Sequence, residues 1–98
     1  MDEGRKPNRK ERRAAEAQGE MTNRKFIEVA DRFIDLANRT NQTVPATDLH
    51  LAFLYAAARY NAYVAKNVLE VDEHEPFVRE MMKAYQEMLR THLSDPNL

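Results

Sequence analysis

Apolar side chains recur at helical spacing along three stretches of this chain, and the middle stretch is built differently from its neighbours. Phe26, Ile27, Val29, Ala30, Phe33, Ile34, Leu36 and Ala37 share one half of a helical wheel; Glu28, Asp31, Arg32, Asp35 and Arg39 take the other. Phe77, Val78, Met81, Met82, Tyr85, Met88, Leu89 and Leu93 fall within less than half of theirs, and Arg79, Glu80, Lys83, Gln86, Glu87 and Arg90 cover the remainder. Each pattern predicts an amphipathic helix that buries one face.

Between them, Leu49 to Leu69 predicts one long helix that is apolar on two sides. At 100° per residue, Leu49, Phe53, Tyr60 and Val64 fall within about one quadrant, and Leu51, Leu54, Ala58, Ala62, Ala65 and Leu69 fall opposite. Polar residues occupy only the seams, His50 and Asn61 on one, Arg59 and Lys66 on the other. A helix apolar nearly all round needs cover on both sides. Its alanine-rich face also lets another backbone come close.

Breaks in the periodicity set the boundaries. Thr22 or Asn23 caps the first helix, which ends between Asn38 and Asn41. The connector to Ala46 contains Pro45, Thr47 is the expected cap of the central helix, and Asp48 favours its first turn. Glu70 to Glu75 is an acidic break without glycine; Asp72 is the expected start of the third helix, with Pro76 in the first turn, and Ser94 is its latest end. The expected fold is all-α, a three-helix antiparallel bundle over residues 22–98 behind a charged, flexible arm at 1–21.

That arm has no large apolar residue after Met1 and cannot offset its ordering entropy by burial. Arg5, Lys6, Arg9, Lys10, Arg12 and Arg13 read as a solvated tail or, less readily, as phosphate contacts in a nucleic-acid-binding arm. Met21 offers an alternative start that would make the arm dispensable. No secretory signal core is present, and Arg59, Asn61 and Lys66 disqualify the central helix as a membrane span. A cytoplasmic protein without membrane association is expected.

Composition narrows the chemistry further. A formal net charge of -1 gives no global bias toward nucleic acid, and the lack of cysteine removes disulfides and thiolate catalysis. No phosphate loop, His-Glu-x-x-His or nucleophile elbow occurs, so neither an enzyme nor a cofactor is expected. Asp72, Glu73 and His74 lack a metal-ligand spacing, so no metal is expected there. His92 sits on the apolar arc near the end of the third helix, where a protonated imidazole suits the dipole; His50 and Asn61 stand three turns apart, too far to form a site alone.

Arg59 is the polar residue to watch. It lies one turn from both Tyr55 and Tyr63, so its guanidinium could rest against their rings. Arg59, Tyr55 and Tyr63 read as an anion or partner-carboxylate site, or as a structural ion pair with Asp31, Asp35 or Glu80 that fixes register; the structural reading is favoured.

The segments Phe33-Ile34-Asp35-Leu36-Ala37-Asn38, Phe53 through Ala62, and Tyr85-Gln86-Glu87-Met88-Leu89 resemble a small bacterial family known as a domain of unknown function, about eighty residues long. Tyr55 to Ala62 is the most specific part. The resemblance covers Thr22 to the C-terminus and omits the arm; it implies a bacterial cytoplasmic helical protein and carries no activity or assigned site. About 75 ordered residues make a marginal core, and small domains often gain stability by associating. The expected function is therefore a self-associating, homodimeric protein–protein interaction or adaptor module with an unidentified protein partner. The alternative is a nucleic-acid-associated protein using the basic arm.

Overall fold

A computed structural model describes residues 21–98, and within them the chain forms three helices and no strand. Helix α1 spans Asn23–Thr40, α2 spans Ala46–Asn67 and α3 spans His74–Leu93. The all-α, three-helix architecture is the expected one. The arm, with its six basic residues from Arg5 to Arg13, lies outside the described residues.

Each helix starts and stops for a local reason. Thr22 is extended, and its hydroxyl accepts from the Lys25 N–H at 3.2 Å, satisfying one of the unpaired donors of the α1 first turn. At the other end the Thr40 hydroxyl donates to the Leu36 carbonyl at 2.8 Å and Asn41 closes the last turn. Helix α2 begins at Ala46 instead of being capped by Thr47. Pro45 holds φ at -59°, and its carbonyl accepts from the Asp48 and Leu49 amides at 3.0 and 2.8 Å, so the proline carbonyl opens the helix and leaves Thr47 inside the first turn.

Helix α2 also ends two residues before Leu69. The Val68 and Leu69 amides both donate to the Val64 carbonyl at 2.9 Å, and Glu70 then turns left-handed at φ 52°. The Val71 amide closes the break by donating to the Ala65 carbonyl at 3.0 Å. This is the reversal that glycine usually performs, made here by a residue with a Cβ. Helix α3 starts at His74 rather than Asp72, because Glu73 is extended (φ -116°, ψ 131°); Pro76 then falls in the first turn, where its missing N–H costs nothing. Ser94 caps the end by donating from its hydroxyl to the Arg90 carbonyl at 2.9 Å.

The two reversals do not bring the helices into full lateral contact. Only α1 and α2 touch appreciably, while α2 and α3 diverge from their shared turn. Ala65, beside that turn, is the one buried residue among those described, at 5% exposure. The enclosure of α2 along both flanks is thus not achieved within one chain. On one flank Tyr60 is exposed although Leu49 and Val64 are half-buried, and on the other Leu51 and Leu54 are exposed. The outer helices fare no better: Phe26 and Phe33 of α1 are each 57% exposed, and Met82 of α3 is 65% exposed.

Candidate functional site

The divergence of α2 and α3 opens a groove of about 840 Å³ between them. Its α2 wall is built from Phe53, Leu54 and the small residues Ala57, Ala58, Ala62 and Ala65. Its α3 wall is bulky, with Phe77, Met81, Met82, Tyr85 and Leu89. Val71, from the turn that joins the two helices, lines it as well. Alternation in side-chain size follows directly from the sequence: α2 spends alanine on the side facing α3, and α3 spends its methionines and aromatics on the side facing α2.

Polar groups in the groove are few. His50 and Asn61 both line it, although three turns of α2 separate them, and Lys66 and His74 lie toward its closed end. The seam of α2 that seemed to join nothing is therefore the midline of a single concave surface. Spacing on one helix could not reveal this, because the facing wall comes from another. No group of three or more potential metal ligands occurs among the described residues.

Arg59 points to the opposite side of α2 and does not line the groove. It is exposed, as are Tyr55 at 69% and Tyr63 at 50%. The expected ion pair with Asp31, Asp35 or Glu80 is not formed. A surface ion pair forms elsewhere, Arg24–Glu28 at 3.4 Å, one turn apart on α1. An arginine left in water carries no desolvation penalty for a carboxylate to offset, so the pairing lost its cause when the flank stayed open. The ring contact on this side is Tyr60 with Tyr63, centroids 6.1 Å apart and planes inclined by 24°, a stacked pair. His92 lies exposed in the last turn of α3.

The segments that carried the resemblance now sit on recognisable surfaces. Phe53 to Ala62 forms the central turns of α2, with groove on one side and the Arg59 seam on the other, and Tyr85 to Leu89 belongs to the α3 wall. Residues 26–96 match the sequence pattern of the family described as a protein of unknown function (DUF3144). The chain belongs to the DUF3144 family. The matched span takes in all of α2 and α3 and all but the first turn of α1, and it leaves out the basic arm. No curated protein and no solved structure matches the chain. Membership of DUF3144 thus identifies the three-helix unit and brings no assigned activity with it. None of its described helices is long and apolar enough to cross a membrane.

Proposed function

We propose that this DUF3144 chain is a non-enzymatic, self-associating helical module that acts through protein–protein contacts, with a homodimer as its working form. The observation that carries the reading is the near-absence of an interior: three helices with apolar faces, and Ala65 alone buried among the described residues. A contiguous apolar surface of this extent on a soluble chain marks an interaction surface.

Exposure points the same way: Phe26 and Phe33 of α1, Leu51 and Leu54 of α2, and Met82 and Met88 of α3 all stand in solvent in a single chain. A second copy brings the same unsatisfied helical faces and so is the simplest source of cover. With the apolar faces spent on association, the Tyr55–Arg59–Tyr63 seam on the far side of α2 is the surface we assign to an adaptor contact with a carboxylate of another protein; arginine and tyrosine are enriched at such contacts.

Size-exclusion chromatography with light scattering tests the self-association. At micromolar concentration the mass should be twice 11.4 kDa. Elution as a folded monomer would overturn the proposal.

A further inference from the structure

We infer that the groove between α2 and α3 is filled by α3 of a second copy, reciprocally, so that two open helix pairs interlock into one four-helix core. The inference rests on the self-association proposed above and assigns the face that performs it. Three features of the groove select its occupant.

The first is size. A groove of about 840 Å³ holds roughly two turns of a helix about 10 Å across, side chains included. The second is shape. The α2 wall is alanine and the α3 wall is bulky. When α3 of one copy enters the groove of the other, its Met82, Tyr85 and Leu89 meet Ala58 and Ala62 instead of further bulk, the large-against-small arrangement that fills a core without voids. The third is symmetry. A two-fold interface must use one patch that complements itself, and this groove carries both the small wall and the large wall on a single surface. The arrangement leaves the Arg59 seam outside, on the far side of α2.

The absence of native cysteine makes the assignment directly testable by cross-linking. Full-length chains carrying Ala58→Cys are mixed with isotopically heavy chains carrying Met82→Cys, Tyr85→Cys or Leu89→Cys of α3 or, separately, Phe33→Cys of α1. Each mixture is unfolded, refolded together and oxidised, and mixed disulfides are identified by mass. A disulfide requires Cα atoms within roughly 7 Å, so only residues facing each other across the interface report. Random pairing allows mixed dimers to hold at most about half of the chains; at least one of the three α3 mixtures should approach that ceiling, and Tyr63→Cys, on the far side of α2, should give at least tenfold less with the same three. Light scattering on the unmutated chain is run in parallel.

A dimer mass with no mixed disulfide in any Ala58–α3 mixture, or with Tyr63 preferred, would overturn the groove assignment and leave self-association standing. Preferential linkage of Ala58→Cys to Phe33→Cys would overturn it in favour of α1 as the occupant. A monomer mass would remove both the groove assignment and the reading beneath it.

Discussion

Both sides of α2 are open to water in a single chain, yet they differ in what water costs them. The groove side is alanine, leucine and phenylalanine facing a methionine-rich wall, and apolar surface left wet there forfeits roughly 25 cal/mol for every Å². On the seam side Tyr55, Arg59 and Tyr63 keep a hydroxyl or a guanidinium in solvent while their stems and rings cover the helix. Exposure alone therefore does not identify an interface. Exposure of groups that have nothing to gain from water does, and by that criterion the groove is the face we propose for the interface while the seam can remain open.

That contrast can be broken most forcefully at the groove floor. Ala58→Glu places a carboxylate where the proposed dimer seats a helix, and we expect a loss of roughly 3 kcal/mol, more than a hundredfold in the dimer dissociation constant. Sedimentation equilibrium reads the change. Truncation of the facing wall should cost less: Leu89→Ala removes about 2–3 kcal/mol in urea unfolding followed by circular dichroism, with most of the loss absent if α3 stays solvated. Away from both surfaces, Thr22→Ala deletes the cap of α1 and should lower stability by about 1 kcal/mol in the same assay.

The smallest effect belongs to the seam. Arg59→Met should change stability by no more than about 0.5 kcal/mol and leave the mass by light scattering unaltered, since the residue lies exposed and outside any ion pair of the described chain. A loss above 2 kcal/mol would make the seam structural and erase the distinction between the two sides.

Much of the fold was legible in the sequence because helical periodicity is local. The arcs of α1 and α3, the Thr22 cap and the stop at Ser94 depend on residues within a few positions of one another. The errors at the starts of α2 and α3 are also local: Pro45 offers its carbonyl where Thr47 was expected to offer a hydroxyl, and an extended Glu73 delays α3 past Asp72. What the sequence did not disclose is the angle at which α2 and α3 leave their shared turn, since that depends on the conformation of Glu70. The angle decides that His50 and Asn61 border one groove with His74. Two greasy faces on α2 announced that cover was required, without saying which chain would bring it.

If cover comes from a second copy, folding and association are one reaction, and stability must depend on how much protein is present. Thermal unfolding of the full chain, followed by circular dichroism over a hundredfold range of concentration, tests this most directly. The account predicts a midpoint that climbs steadily with concentration. A midpoint that stays fixed, with a single cooperative transition, would show that one chain encloses itself and would contradict it.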